Sequence, residues 1–129
     1  MIILDASCVI DFALRMRSAP ELSNLMKQND VFAAPHLLTY EVVNILRRQV
    51  VAKLCSEERA QQGLVLFREL NFEFYDAEIM LDRVWQLRHN FTAYDAFYIA
   101  LAEMLDAPFY TRDHRLANAS GHRAQVIKI

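Results

Sequence analysis

The chain contains 129 residues, of which 54% are hydrophobic and 23% charged, and its formal net charge is −2. This length and composition predict one globular domain over residues 1–129 and exclude a disordered chain. No stretch approaches about 20 apolar residues, and the N-terminus lacks a basic region and a cleavage site. We therefore expect neither a membrane span nor a signal peptide.

The weak negative charge also excludes a globally basic, nucleic-acid-binding surface. Any attraction to nucleic acid must come from a local patch, for which the candidates are Arg47, Arg48, Lys53, Arg88, Arg112 and Arg115. The two cysteines, Cys8 and Cys55, lie far apart and form no Cys-x-x-Cys pair. They are expected to be free thiols, which favours a cytoplasmic protein.

Short apolar runs alternate with longer helical patterns along the chain. In chain order, the runs predict strands at Ile2–Leu4, 31–34, Phe72–Tyr75, Phe109–Thr111 and 126–129. A helix is predicted over 37–53, and Ser56 predicts the capped start of another that leads into 61–70. Three stripes of apolar residues have the helical period: Leu38, Val42, Ile45, Leu46 and Val50; Met80, Val84, Leu87 and Phe91; Phe97, Ala100, Leu101, Met104 and Leu105.

This alternation predicts βαβ units, and hence an α/β fold with a parallel sheet and helices on both faces. The strand runs show no polar alternation, as expected of parallel strands that are buried on both faces. Right-handed crossovers place the carboxyl ends of all the strands at one edge, which is where open α/β sheets bind ligands.

Four acidic residues fall at or near that edge. Asp5 closes the first strand, Asp113 follows the fourth, Asp95 opens an apolar helix, and Glu41 lies within the helix predicted over 37–53. Carboxylates gathered at one edge repel one another unless a cation joins them. The cation that suits such oxygen ligands is hard and divalent, Mg²⁺ or Mn²⁺.

Each acid taken alone has a structural alternative. Asp5 and Asp113 can be N-caps of the helices that follow them, and Asp95 can close a capping box with Thr92. Glu41 can form an ion pair with Arg48 on the same helix. Metal binding is the economical explanation of the four together.

Polar side chains stand at short offsets from these acids. Ser7 is two residues after Asp5, Thr111 is two before Asp113, and Asn44 lies one turn after Glu41. Hydroxyls and amides at such distances orient carboxylates or hold metal-bound waters. Local capping of the backbone is the alternative role for each of them.

Four blocks of the sequence carry a family resemblance. They are Ile3-Leu4-Asp5-Ala6-Ser7, the Glu-x-x-Asn helix with Glu41 and Asn44, Thr92-Ala93-Tyr94-Asp95-Ala96-Phe97-Tyr98, and Tyr110-Thr111-Arg112-Asp113. In this order and at this chain length, they resemble a PIN-domain ribonuclease of the VapC type, the toxin of a bacterial toxin–antitoxin pair. The segment 53–70 matches that family only as a generic helix.

The resemblance implies a PIN-like three-layer α/β/α domain with a five-stranded parallel sheet. It also implies a metal-dependent endoribonuclease that forms a homodimer and binds a cognate antitoxin. Carried over by position, the acidic site is Asp5, Glu41, Asp95 and Asp113, and its polar supports are Ser7, Asn44 and Thr111.

The expected chemistry is hydrolysis of an RNA phosphodiester that leaves a 3′-hydroxyl and a 5′-phosphate. Asp5 and Asp95 are the expected direct metal ligands, while Glu41 and Asp113 ligate through water or orient the nucleophile. The four histidines are scattered and are not needed for this reaction. RNA would approach as a single strand or loop and stack on Tyr94 or Tyr98, at least one of which is expected to pack in the core instead.

Three rivals fit the sequence less well. A phospho-acceptor receiver domain requires adjacent acids near the first strand, yet Asp5 is followed by Ala6 and Ser7. A haloacid-dehalogenase-type phosphatase requires Asp-x-Asp, and Ser7 occupies its second position. A non-catalytic binding module on a degenerate fold is disfavoured because all four acids are present.

Overall fold

The computed structural model describes residues 1–16 and 19–129. Its strands are β1 (Ile2–Leu4), β2 (Phe32–Pro35), β3 (Phe72–Tyr75), β4 (Phe109–Thr111) and β5 (Val126–Lys128). Its helices are α1 (Ala6–Ala13), α2 (Ala19–Lys27), α3 (Leu37–Val51), α4 (Glu57–Glu69), α5 (Leu81–Gln86), α6 (Ala93–Leu105) and α7 (His114–Ala117), and a 3-10 turn (Ala77–Met80) precedes α5. The five predicted strands are confirmed, with shifts of one residue at β2 and β5.

The strands form one parallel sheet in the order β3-β2-β1-β4-β5. From β1 the chain moves outward to β2 and then β3, returns to β4 on the other side of β1, and moves outward again to β5. With right-handed crossovers, this reversal places the helices before β3 on one face and those after β3 on the other. The expected α/β fold with helices on both faces is confirmed.

The reversal also defines where a ligand can bind. β1 and β4 are neighbours, yet the chain leaves them in opposite directions, so the crevice beyond their carboxyl ends is the topological switch point of the sheet. Ile3 pairs with Phe109 and Leu4 with Tyr110. Asp5 and the residues after Thr111 consequently leave the sheet side by side, as the sequence predicted.

The core surrounds the central strands. Every residue of β1 and β2 is buried, and helix α6 buries six residues, among them Ile99 and Leu101. The edge strands differ, because Glu73 and Phe74 of β3 and Lys128 of β5 are exposed. Burial of every strand on both faces was therefore a wrong prediction, and the reason is that an edge strand has a neighbour on one side only.

Two helical predictions need correction. The helix predicted over 37–53 ends at Val51, and Lys53 adopts a left-handed conformation with φ 58°. The apolar stripe from Met80 to Phe91 is not one helix, since α5 ends at Gln86. The turns after α5 keep a helix-like path, with the Phe91 N–H bonded to the Leu87 carbonyl at 3.1 Å, so the apolar period continues beyond the helix.

Two further observations concern the cysteines and the membrane prediction. Both cysteines were expected to be buried free thiols; Cys8 is one, whereas the free thiol Cys55 is only half-buried. Within residues 1–16 and 19–129, no helix has the length and apolar character needed to cross a membrane.

Candidate active site

Asp5 is the most buried of the four candidate acids, with 8% of its surface exposed. It follows β1 and caps α1, accepting the Cys8 N–H on Oδ1 at 3.0 Å. The Ser7 hydroxyl donates to Oδ1 and the Thr111 hydroxyl to Oδ2, each at 2.5 Å. The capping alternative for Asp5 is thus correct, and the cap leaves its carboxylate facing the switch point between β1 and β4.

Burial raises the pKa of the Asp5 carboxyl above its usual value, although the hydroxyl donors from Ser7 and Thr111 oppose this effect. An ionised carboxylate in such a place is stable only when donors or a cation compensate for the lost water. The two hydroxyls also organise the strand end. Ser7 Oγ accepts the Arg112 N–H at 3.1 Å, and Thr111 Oγ1 accepts the Asp113 N–H at 3.0 Å.

Glu41 reaches the site from α3 and is held by a tyrosine of α6. The Tyr98 hydroxyl donates to Glu41 Oε2 at 2.7 Å, across 57 residues of sequence. This bond replaces the ion pair with Arg48 that the sequence allowed. Burial raises the pKa of Glu41, the Tyr98 hydroxyl lowers it, and the charges of Asp5 and Asp95 raise it further.

Asp95 stands in the first turn of α6. Its backbone N–H donates to the hydroxyl of Thr92, the N-cap, at 3.2 Å. Burial raises the pKa of its carboxyl, Thr92 lowers it, the charge of Asp113 raises it and that of Arg115 lowers it. The Thr92 half of the predicted capping box is therefore present.

Asp113 caps α7 and is the one candidate whose pKa falls below the usual value. Its Oδ1 accepts the Arg115 N–H at 2.8 Å, and the Arg115 guanidinium lies 3.0 Å from Oδ2. The guanidinium is the main cause of the lowered pKa, against the opposing effect of burial. As with Asp5, the capping alternative is correct for Asp113.

The four carboxylates thus share one edge and interact through their charges. In the described conformation, however, no three acidic, histidine or cysteine side chains of residues 1–16 and 19–129 converge on a point where they could ligate one ion. Three of the carboxylates are held by different partners: hydroxyls for Asp5, Tyr98 for Glu41, and a guanidinium for Asp113. A shared ion therefore requires some of these side chains to move.

The remaining sequence candidates have different surroundings. Asn44 lies exposed on α3, one turn beyond Glu41. Tyr94 is 66% exposed, whereas Tyr98 is 2% exposed and stacks on Phe109 at 5.4 Å between ring centroids. The expectation that one of the two tyrosines packs in the core is confirmed, and Tyr94 is the one available to a base.

Sequence analysis missed a buried ion pair beside the site. Asp11 of α1 is fully buried, and its Oδ1 receives the Arg112 guanidinium at 2.6 Å. From the sequence, Arg112 is a candidate for a local basic patch rather than for a buried ion pair. The Arg112–Asp11 ion pair ties the loop after β4 to α1. The available sequence signal was the acid Asp11, six residues after Asp5.

The acids Asp95 and Asp113 line an open cavity of about 290 Å³, together with Arg115 and Phe91. Larger concavities lie elsewhere on the surface. One of about 750 Å³ borders α1 and α4, and an apolar one of about 440 Å³ borders α3, α4 and β3. The 290 Å³ cavity is lined by two of the four candidate acids, Asp95 and Asp113, and both have perturbed pKa values.

The sheet order and the acids at its switch point are typical of a PIN domain. The family model described as PIN domain matches residues 2–121, and the chain belongs to this family. Among curated proteins, it is 42% identical to Ribonuclease VapC1 of Mycobacterium tuberculosis over 126 residues, which is 96% of this chain and 94% of that protein. It is 32% identical to Ribonuclease VapC12 of the same species, covering 98% and 97%.

Solved structures agree on the fold. PAE2754 from Pyrobaculum aerophilum superposes with a TM-score of 0.74 at 20% identity, covering 97% of this chain and 81% of that one. VapC20 of Mycobacterium tuberculosis, titled a sarcin-ricin loop cleaving toxin, gives 0.65 at 14% identity, covering 93% and 97%. Membership of the PIN family, with VapC ribonucleases as relatives, disfavours the receiver and phosphatase alternatives.

Proposed function

We propose that this chain is an endoribonuclease that hydrolyses RNA phosphodiester bonds with a divalent metal ion, and that it is the toxin of a toxin–antitoxin pair. The observation that carries the proposal is that Asp5, Glu41, Asp95 and Asp113 lie at the edge of the sheet that holds the β1–β4 switch point, near enough for charges of neighbouring acids to act on Glu41 and Asp95. The names of the VapC relatives support the ribonuclease activity.

The residues fit a hard cation. The candidate ligands are all oxygens, and burial raises the pKa values of three of the four carboxyls; for Glu41 and Asp95 the charges of neighbouring acids raise them further. A cation would relieve that repulsion, and Mg²⁺ or Mn²⁺ suits carboxylate oxygens. We assign Asp5 and Asp95 as direct ligands, and Glu41 and Asp113 as groups that ligate through water or orient the nucleophile.

When bound, the ion would lower the pKa of a water molecule and neutralise charge on the phosphate. The residues of the chain itself orient the carboxylates of the site. Ser7 and Thr111 fix the Asp5 carboxylate, and Tyr98 fixes Glu41, so that neither carboxylate has to be oriented during the reaction. Tyr94, exposed in the first turn of α6 next to Asp95, offers a ring on which an unpaired base can stack.

A cognate antitoxin and a second copy of the chain are the proposed protein partners, with the reaction taking place in the cytoplasm. An exposed apolar surface on the 3-10 turn, α5 and α6 supports dimerisation: Ile79, Leu81, Trp85 and Met104 are 61%, 56%, 67% and 45% exposed. Exposed apolar residues that form a contiguous patch mark protein interfaces. Sedimentation should give a dimer for the wild type and a monomer for Trp85→Ser; a wild-type monomer would contradict the dimer.

The activity is tested with purified protein and a single-stranded RNA. We expect cleavage with Mg²⁺ or Mn²⁺, none in excess chelator, and loss of cleavage in Asp95→Asn. Asp106→Asn is the matched control, because Asp106 ends the same helix, is exposed and adopts a left-handed conformation that asparagine tolerates. Cleavage that persists in chelator, or in Asp95→Asn, would overturn the proposed mechanism.

A further inference from the structure

Arg115 places a positive charge inside the acidic site of its own chain. It lies in the first turn of α7, and its guanidinium contacts the Asp113 carboxylate at 3.0 Å from Nη2 to Oδ2 and 3.4 Å from Nε to Oδ1. The same side chain lines the cavity that contains Asp95. Its charge acts on Asp95 as well as on Asp113.

The two oxygens of Asp113 have separable roles. Oδ1 accepts the Arg115 backbone N–H at 2.8 Å, which is the bond that caps α7. The guanidinium binds Oδ2 at 3.0 Å and approaches Oδ1 less closely, at 3.4 Å from Nε. A rotation of the Arg115 side chain would therefore free Oδ2 without breaking the cap, and the carboxylate would stay where the backbone bond holds it.

Asp5 and Glu41 are held by neutral donors. Asp5 accepts hydroxyl groups from Ser7 and Thr111, and Glu41 accepts the Tyr98 hydroxyl. Among the ion pairs of residues 1–16 and 19–129, only that of Arg115 involves one of the four acids. The local positive charge of the metal-free site is thus this guanidinium.

The environment of Arg115 allows it to exchange partners. Its side chain is 89% exposed, whereas Arg112, which holds the buried Asp11, is 35% exposed. An exposed ion pair contributes little to stability because water and salt screen it, so a divalent cation can replace it. After displacement the guanidinium remains attached at the rim of the cavity, where it can bind phosphate oxygens in the bidentate geometry that arginine favours.

We infer that Arg115 is an exchangeable counter-ion of the acidic site: it occupies Asp113 Oδ2 in the metal-free protein, yields that oxygen to the divalent cation, and then binds a phosphate of the RNA substrate. This inference rests on the proposed metal-dependent nuclease function.

The first test is Mn²⁺ affinity, measured by isothermal titration without RNA. Arg115→Gln keeps a polar side chain, although a shorter one, and removes the charge, so it should bind Mn²⁺ about two- to fivefold more tightly than the wild type. Arg123→Gln is the control, because Arg123 is 81% exposed and pairs with Glu103, about 12 Å along α6 from Asp95 by helical rise. The control should bind Mn²⁺ as the wild type does.

The second test separates phosphate binding from metal binding. At saturating Mn²⁺, with a single-stranded mixed-sequence oligoribonucleotide as the probe, Arg115→Gln should raise KM about fivefold or more and leave kcat within about twofold. Arg115→Lys keeps the charge without the bidentate geometry and should have an intermediate KM.

Three results would count against the inference. Equal or weaker Mn²⁺ binding by Arg115→Gln, with normal binding by the wild type, would show that the guanidinium does not compete with the ion. An unchanged KM in this variant would remove its role with RNA. If the wild type itself bound no Mn²⁺, the proposed metal site would fail, and the inference would fail with it.

Discussion

The hydrogen bond from Tyr98 to Glu41 gives the sharpest test of how the fold holds its acidic site. Tyr98→Phe removes one oxygen and leaves the ring, which is buried and stacked on Phe109. The lost bond is 2.7 Å long and ends on a carboxylate. Hydrogen bonds to charged groups contribute about 1.5–3 kcal/mol, and we expect a loss of about 1–2 kcal/mol here because Glu41 is only half-buried and water partly replaces the hydroxyl.

The stability lost in Tyr98→Phe should depend on pH, and the raised pKa of Glu41 determines whether it grows or shrinks as pH rises. Burial raises this pKa in the folded protein, so above the ordinary glutamate pKa the folded state binds more protons than the unfolded state. The stability contribution of Glu41 is then present in full below its ordinary pKa and is lost as pH rises through the folded value. The Tyr98 hydroxyl lowers that folded value, so removing it raises the pKa further and deepens the loss at higher pH.

Urea unfolding in chelator, from about pH 4.5 to 8, measures this effect. Tyr94→Phe is the matched control, since Tyr94 lies one turn earlier on α6 with 66% of its surface exposed, and it should change stability by less than about 0.5 kcal/mol. The Tyr98→Phe deficit should be largest near pH 8 and shrink toward acid. A deficit that equals that of Tyr94→Phe at neutral pH, or that does not vary with pH, would refute the reasoning.

Three other predictions concern the site and its partners. Thr111→Val should lower the free energy of unfolding by about 2–4 kcal/mol in urea melts, because the fully buried hydroxyl both donates to Asp5 and accepts a backbone N–H. Thr111→Ser keeps the hydroxyl and should lose less stability. Equal losses of stability in the two variants would contradict this prediction. Expression of the wild type alone should arrest bacterial growth. Asp95→Asn should relieve the arrest, whereas the control Asp106→Asn should not. Equal arrest by the wild type and Asp95→Asn would show that toxicity does not depend on this site. A structure of the complex should show a cationic side chain of the antitoxin beside the four carboxylates, and an inhibited complex with the acidic edge open would contradict that prediction.

The parts of the site that follow strands were predictable from the sequence. Asp5 and Thr111 end apolar runs, and parallel strands with right-handed crossovers bring such ends to one edge. The position of Asp95 in the first turn of a helix was similarly visible from Thr92 and the apolar stripe that follows. The helical spacing of apolar residues wrongly predicted a helix beyond Gln86, where turns continue that spacing without a helix.

The contacts between elements were not predictable from one sequence. Glu41 and Tyr98 lie on different helices 57 residues apart, and nothing local distinguishes this pair from the Arg48 pair that helical spacing allowed. The partner of Asp113 is only two residues away, but an exposed arginine near an acid is common and carries little information alone. That partner, Arg115, is important because it lines the same cavity as Asp95.

The central claim is that the four carboxylates form one divalent metal site, and Mn²⁺ titration of the purified protein tests it most directly. We expect saturable binding by the wild type and by Asp106→Asn, and binding weakened at least about tenfold by Asp5→Asn and Asp95→Asn, in which a proposed direct ligand loses its charge. Circular dichroism of each variant would establish that it is folded. Undiminished Mn²⁺ binding by folded Asp5→Asn and Asp95→Asn would contradict the claim.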